Sequence, residues 1–359
     1  MCIHSSVPSH NQSDALAEKL LGFFNGGAMS LMISVGHRSG LFDTMGAGVP
    51  ATSAQIAACA GLAERPVREW LHAMVAGGIV EHDADDHTYR LPPHHAAMLT
   101  RAASPGNFAV TAQWIGLLGA AEDSVVESFR HGRGVPYSRY GRFHEVMAEE
   151  SSQTVVAALE PHILPLVPWL VESLERGIEV LDVACGRGEA MIHLAHRFPR
   201  SRFTGIDVSR EAISSGVHKA ESRRLRNVTL KVRDAASLHN RGAFDLVTAF
   251  DAIHDQVRPA EVLTNIRRSL RTGGWFLMQD IKARTRVDDN AANPLAPFLY
   301  TVSCMHCMSV SLAGGGPGLG AAWGKERALE MLAAAGFEDI RVAELPHDMI
   351  NYYYLSRVN

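Results

Sequence analysis

The sequence predicts an α/β protein: a doubly wound, mostly parallel sheet preceded by a helical and winged-helix segment. Three observations carry this. From residue 178 onward, apolar runs at 178–183, 202–207, 228–232, 244–250 and 274–281 alternate with helical stretches, the pattern of parallel strands joined by crossover helices. At 180–188 the run VLDVACGRG ends in closely spaced glycines that open a helical pattern, the form of a nucleotide-binding turn. Between residues 52 and 91 two short helices and a hairpin follow one another.

A chain of 359 residues is natural for two domains. Its 47% hydrophobic and 20% charged residues suit a globular protein rather than a disordered one. A formal net charge of −4 advertises neither nucleic acid nor an anionic membrane as partner. Five cysteines at 2, 59, 185, 304 and 307 are too scattered for a disulfide framework and suit a reducing compartment. The start, MCIHSSVPSHNQSD, lacks a basic region ahead of an apolar one, and LLGFFNGGAMSLMISV (20–35) is too short and too polar for a span. The expectation is a cytoplasmic protein without a membrane partner.

Residues 14–44 read as one helix, with Gly22, Gly26 and Gly27 open to close approach by another helix. Thr52 and Gln55 form a capping box for a helix ending at Gly61. Pro66 suits the first turn of the next helix, whose Val67, Trp70, Leu71, Met74 and Val75 keep an i, i+3, i+4 stripe. Strands at 79–82 and 88–91 flank a polar turn. This winged-helix pattern invites a DNA-binding reading, which charge opposes. Residues 1–100 hold five Lys/Arg against nine Asp/Glu, and the wing carries Asp83, Asp85 and Asp86. A phosphate-facing surface needs clustered cations. Residues 105–176 read as mostly helical, interrupted by GRGVPYSRYGRF (132–143), and 338–345 with 350–357 reads as a closing hairpin.

The glycine turn is not the dinucleotide fingerprint, because Met191 stands where the third glycine would be, and no phosphate loop occurs. Asp207 ends the second strand about twenty residues after the glycines, where a carboxylate can accept from ribose hydroxyls. Asp234 follows the third strand and can accept from an exocyclic amine such as adenine's. Asp182 in its apolar strand and Asp234 before a turn each also have a structural reading, as an acceptor and as a cap. Ribose and adenine without pyrophosphate point to an adenosine-type ligand.

With VLDVACGRG, FTGIDVS, RDAAS, FDLVTAFDAIHD and LRTGGWFLMQD in this order, residues 178–281 resemble the core of class I S-adenosylmethionine-dependent methyltransferases. The resemblance implies a seven-stranded Rossmann-like sheet whose last strand is antiparallel. It implies S-adenosylmethionine as cofactor, with Asp182, Ala184, Gly186 and Gly188 at its methionine end. Asp207 and Val208 would hold the ribose side, Asp234 and Ala235 the adenine, and Phe250 the region beside the sulfonium. Ala184 replaces the family's first glycine, which is tolerable with a negative φ. The whole layout is similar to small-molecule O-methyltransferases and to bacterial winged-helix methyltransferases with a glycine-rich tail such as SLAGGGPGLGAAWG (311–324). That likeness implies a homodimer formed through the N-terminal domain.

Methyl transfer to a hydroxyl or thiol needs alignment and a base, for which histidine is suited. His254, in DAIHDQVRPAEVL, lies just past the fourth strand's carboxyl end. O-methyltransferases of the plant type carry a His-Asp pair at this place, usually followed by Trp. Here His254-Asp255 is followed by Gln256. His254 is therefore the candidate base, weighed against an ordinary loop histidine, and Asp255 either orients its ring or caps the next helix. Residues 282–324 read as a lid insertion without regular structure, with Gly314, Gly315, Gly316, Gly318 and Gly320 as hinges. Trp114, Tyr137, Tyr140, Phe143, His144, Tyr300 and Met305 are candidates for the acceptor pocket. Cys304-Met305-His306-Cys307 raises the question of a metal, but a structural zinc site wants a second pair, so core cysteines and no metal are expected.

The resulting expectation is a domain at 1–100, a helical roof at 101–176 and a methyltransferase domain at 177–359. It would transfer a methyl group to an oxygen, nitrogen or sulfur of a small molecule, without a nucleic-acid partner. The alternatives are a methyltransferase of RNA or protein, and a non-catalytic cofactor-binding regulator.

Overall fold

The computed structural model describes residues 10–359; Cys2 and the opening MCIHSSVPS lie outside them. The chain divides into two compact units. One ends at Ala103 and takes in Asn107–Gly116; the other comprises Ser104–Gly106 and Leu117–Asn359. Most of the helical stretch between the winged helix and the sheet thus belongs to the sheet's unit.

In the N-terminal unit, the helix His10–Arg38 ends where Gly40 adopts a φ of 74°, and a short helix, Leu41–Met45, follows. The single helix expected over 14–44 is broken there, because only glycine takes that conformation freely. The capping box of Thr52 and Gln55 opens Ser53–Ala60, and Gly61 closes it at a φ of 68°. Helix Glu64–Ala76 buries Val67, Trp70, Leu71 and Met74, the stripe that its spacing demands. The wing pairs Glu81–Asp83 with Thr88–Arg90. Tight helix approach occurs at Gly36, where a Cβ would lie 2.4 Å from the Trp70 ring, and not at Gly22, Gly26 or Gly27, which have nothing within 4 Å.

The second unit is built on seven strands: β1 (Glu179–Val183), β2 (Arg202–Asp207), β3 (Val228–Val232), β4 (Phe244–Phe250), β5 (Leu270–Ile281), β6 (Arg341–Ala343) and β7 (Asn351–Arg357). Their order is β3-β2-β1-β4-β5-β7-β6. The first five run parallel, and β7 is antiparallel to both neighbours. Side chains alternate between the two faces: Val180, Leu246 and Leu277 enter one apolar core, and Leu181, Val247 and Met278 the other. Both faces are covered, as a parallel sheet requires. The order reverses between β1 and β4, so their carboxyl ends open the crevice where such sheets bind ligands.

The 282–324 segment is not a structureless lid. Helices Ala296–Val302 and Met308–Ala313 are joined through a π-helical turn, Ser303–Cys307. Nor are its glycines all hinges: a Cβ on Gly314, Gly316 or Gly320 would come within 2.5 Å of a neighbouring side chain. Two of them, Gly314 and Gly316, press against Val257, and Ser311 Oγ donates to the Gln256 carbonyl at 3.0 Å. The glycine tail therefore clamps the loop after β4. Among the described residues, Ala296–Ala313 is the one helix long and apolar enough to cross a membrane. Its Ser303, His306, Ser309 and Ser311 are nonetheless buried within the fold.

Candidate active site

The turn after β1 is shaped by three left-handed residues, with φ of 56° at Ala184, 54° at Gly186 and 72° at Gly188. The negative φ that would ease Ala184 is not what the chain adopts. A Cβ in this region costs roughly 1–2 kcal/mol, and this strain sits on the residue just after β1. A Cβ on Gly186 would meet nothing within 4 Å, whereas one on Gly188 would meet Leu230 at 2.8 Å. Gly188 is thus required by packing, and Gly186 faces open space. Gly216, on the helix Arg210–Ser222, lets that helix touch the turn, since a Cβ there would sit 2.3 Å from the Arg187 carbonyl.

Asp207, at the end of β2, braces this turn. Its Oδ2 accepts from the Gly186 N–H at 2.9 Å and its Oδ1 from Ser209 N–H at 2.8 Å. Each oxygen keeps a lone pair for a further donor. Val208 beside it is exposed. Asp182 is buried in β1 and accepts from Thr248 Oγ1 at 2.7 Å. Burial pushes its carboxyl up to about 7, against the Thr248 hydrogen bond. Asp234 caps the turn Ala235–Ser237 through Ala236 N–H at 2.8 Å, and its other oxygen pairs with Arg258 at 2.8 Å. As at Asp207, each oxygen has one of these partners and keeps a lone pair for a further donor. Ala235 is buried and Phe250 is half-buried at the end of β4.

His254 lies in the loop after β4, only 2% exposed. Its Nδ1 donates to Asp280 Oδ1 at 2.7 Å, while its Nε2 lies 3.2 Å from Asp255 Oδ1. Asp280, in β5, is fixed in turn by Trp323 Nε1 at 2.9 Å and by Ile281 N–H at 2.8 Å. The ring is therefore oriented by Asp280. Asp255 does not fill that role, and it does not cap the following helix, Pro259–Ser269, whose N-cap is Arg258. Burial disfavours the imidazolium, but the fields of Asp280 and Asp255 outweigh it and raise His254 well above its ordinary pKa. Cys307 is buried beside this pair, and one donor atom from each of His254, Asp255 and Cys307 lies within 4.8 Å of the others. Burial pushes the Cys307 thiol up to about 12.

An aromatic group packs beside Asp255. Tyr137 donates to Asp255 Oδ2 at 3.1 Å, and its ring stacks on His144 at 6.2 Å between centroids. Burial lowers the pKa of His144, opposed by the fields of Asp207 and Glu211. Phe143 stacks on His306 at 4.4 Å, and Tyr140 meets the same ring edge-on at 4.7 Å. The Tyr140 hydroxyl donates to the Met305 carbonyl inside the π-helical turn, satisfying an acceptor where the regular ladder is interrupted. Gly134 permits this docking, because a Cβ would fall 1.7 Å from the Ser309 carbonyl. Tyr300 is held by Asn290 Nδ2 at 3.0 Å. Trp114 falls in the N-terminal unit.

Three residues of the site escaped the sequence reading. Asp280 was legible only as an acidic residue ending an apolar strand, Trp323 had no signal, and Cys307 read as core. A strand-end carboxylate opposite a loop histidine is the signal that could have found Asp280.

Residues 27–101 match the model of the Rv2258c-like winged HTH domain, and residues 174–336 that of a methyltransferase domain. Fatty-acid O-methyltransferase of Mycolicibacterium smegmatis is 31% identical over 108 residues, 30% of this chain and 39% of that protein. Polyketide synthase ThaQ of Burkholderia thailandensis is 33% identical over 116 residues, 32% of this chain and 6% of that one. The chain spans less than half the length of these curated relatives. Among solved structures, human N-acetylserotonin methyltransferase in complex with SAM is similar with a TM-score of 0.66 at 18% identity, over 99% of this chain and 100% of that one. An O-methyltransferase family protein from Burkholderia thailandensis is similar with a TM-score of 0.64 at 16% identity, over 99% of each chain. At such identities the likeness is one of fold, and it runs along the whole chain. The fold is that of the winged-helix methyltransferases. This chain joins a winged HTH domain to a methyltransferase domain.

Proposed function

We propose that the protein transfers the methyl group of S-adenosylmethionine to an oxygen, nitrogen or sulfur of a small-molecule acceptor, with His254 as general base. The observation that carries this reading is the buried His254–Asp280 pair at the carboxyl edge of the sheet. Tyr137 donates to Asp255 beside this pair and stacks on His144, which lies in the field of Asp207. The turn fits the cofactor. Gly186 leaves open space where a side chain would stand, and Asp207 is aimed at the same turn with acceptor capacity to spare. When bound, S-adenosylmethionine supplies a methyl carbon activated by a positive sulfur.

Asp182, Ala184 and the Gly186–Gly188 turn would hold its methionine end, Asp207 and Val208 its ribose, Ala235 and Asp234 its adenine, and Phe250 the region beside the sulfonium. Asp280 fixes the His254 ring through Nδ1, which leaves Nε2, 3.2 Å from Asp255 Oδ1, as the nitrogen that takes the nucleophile's proton as the methyl arrives. With its pKa raised, the ring does so only once deprotonated, so turnover should rise with pH. Tyr137, Tyr140, Phe143, His144 and the π-helical turn with Met305 form an apolar, aromatic wall that excludes water.

The exposed apolar face of helix His10–Arg38, with Leu21 60% and Phe24 68% exposed, supports a homodimer through the N-terminal unit. The free Cys59, Cys185, Cys304 and Cys307 fit a cytoplasmic location. The acidic, exposed wing strand Glu81–Asp83 argues against nucleic acid as substrate or partner. Calorimetric titration with S-adenosylmethionine and with NAD, repeated on Asp207→Ala, tests the cofactor. Binding of the first alone, weakened in the variant, is expected; binding of NAD would overturn the reading. Release of S-adenosylhomocysteine over a panel of phenols, carboxylic acids, amines and thiols then identifies the acceptor class.

A further inference from the structure

We propose that His254, Asp255 and Cys307 form a binding site for a thiophilic divalent cation, zinc, and that the bound ion closes the site to methyl transfer. The three side chains offer an imidazole nitrogen, a carboxylate oxygen and a sulfur, the donor set that zinc takes in tetrahedral sites with a fourth position left open. They come from two elements, the loop after β4 and the π-helical turn Ser303–Cys307, and their donor atoms all lie within 4.8 Å of one another. With bonds of about 2 Å, tetrahedral zinc holds nitrogen and oxygen ligands roughly 3.3 Å apart. His254 Nε2 and Asp255 Oδ1 already stand at 3.2 Å. Only Cys307 has to close in.

The surroundings are those of a metal site as well. Nδ1 of His254 is occupied by Asp280, which leaves Nε2 as the ligand. A carboxylate behind a ligating imidazole is the usual outer partner in zinc proteins. Trp323 fixes that carboxylate. Asp255 is oriented the same way, by the Tyr137 hydroxyl on Oδ2. Its Oδ1 is buried and, although 3.2 Å from Nε2, is not aligned with any donor in a hydrogen bond. A buried carboxylate oxygen outside any hydrogen bond is costly; its neighbouring charge is the His254 ring, and a bound cation would take over that neutralisation. Zinc takes the thiolate, so binding releases the Cys307 proton.

The binding half of the proposal stands on the cluster alone. The closing half rests on His254 being the base, because an ion on Nε2 removes the lone pair that takes the proton. The test is anaerobic titration of the full chain with Co²⁺, followed by displacement with Zn²⁺. One equivalent is expected to give a thiolate-to-cobalt charge-transfer band and the visible bands of tetrahedral cobalt. Cys307→Ser abolishes the charge-transfer band, Cys304→Ser keeps it, and Asp280→Asn weakens affinity about 10- to 100-fold. Calorimetric titration with S-adenosylmethionine confirms that each variant is folded. Absence of the band in the folded parent chain, or its persistence in Cys307→Ser, overturns the site. With an acceptor from the panel, one equivalent of zinc is expected to suppress turnover and a chelator to restore it. Unchanged turnover with zinc bound overturns the closing role. Turnover that requires zinc leaves the site standing and overturns His254 as base.

Discussion

The two sides of the crevice are built differently. On the cofactor side, the turn 184–188 and Asp207 lie within one strand–helix–strand unit, stitched together where the Gly186 N–H donates to Asp207. On the acceptor side, His254, Asp280, Cys307 and Trp323 come from four separate segments, with Tyr137 and His144 reaching in from a fifth. The first side reuses a local motif that binds one constant molecule. The second is a tertiary assembly, and it is there that specificity is free to change.

The largest effect that would test this division is on the acceptor side. His254→Ala is expected to lower turnover about 10²- to 10⁴-fold, while the S-adenosylmethionine Kd from calorimetry stays within a factor of a few. Equal loss of binding and turnover would show that the two sides are one unit. On the cofactor side, Asp182 ties stability to pH. Its folded pKa of about 7 lies above the ordinary 3.8. Its contribution to stability is therefore full below about 4 and is lost as pH rises through about 7, by up to roughly 4 kcal/mol. Asp182→Asn should flatten this slope in urea unfolding of the cofactor-free protein between pH 5 and 8; an unchanged slope would remove Asp182 from the account.

Asp207→Ala removes a charged acceptor worth about 1.5–3 kcal/mol. The S-adenosylmethionine Kd should rise roughly 10- to 100-fold, with the acceptor KM little changed. A wild-type Kd in that variant would break the assignment of the ribose. The smallest effect is at Ala184. Ala184→Gly relieves a left-handed Cβ, against glycine's greater unfolded-state entropy, for a net gain of about 1 kcal/mol and a Tm a few degrees higher. A lower Tm would mean that the alanine methyl packs better than its backbone strain costs.

Legibility followed locality. The five parallel strands, the capping box at Thr52 and the glycine turn were readable because each is decided by neighbours within a few residues. His254 was readable as a candidate because it follows a strand end. Its partner was not: Asp255 is adjacent in sequence, but Asp280 orients the ring, since β4 and β5 are neighbours in the sheet. Residues 282–324 read as a loop because prolines, glycines and the cysteine pair hide a helix whose period slips by one residue at Ser303–Cys307. Gly314 and Gly316 read as hinges, yet Val257 lies against them.

The sequence by itself determined the alternation of strands and helices, the adenosine-type turn and the acidic character of the winged helix. These depend on periodicity, turn chemistry and charge, which act over short stretches of chain. Only the tertiary structure decided which carboxylate holds His254, that Cys307 stands beside it, and that Ala184 is left-handed. Those follow from strand order and from one helix turn packed against a loop, where distant segments must share a buried volume and satisfy one another's polar groups.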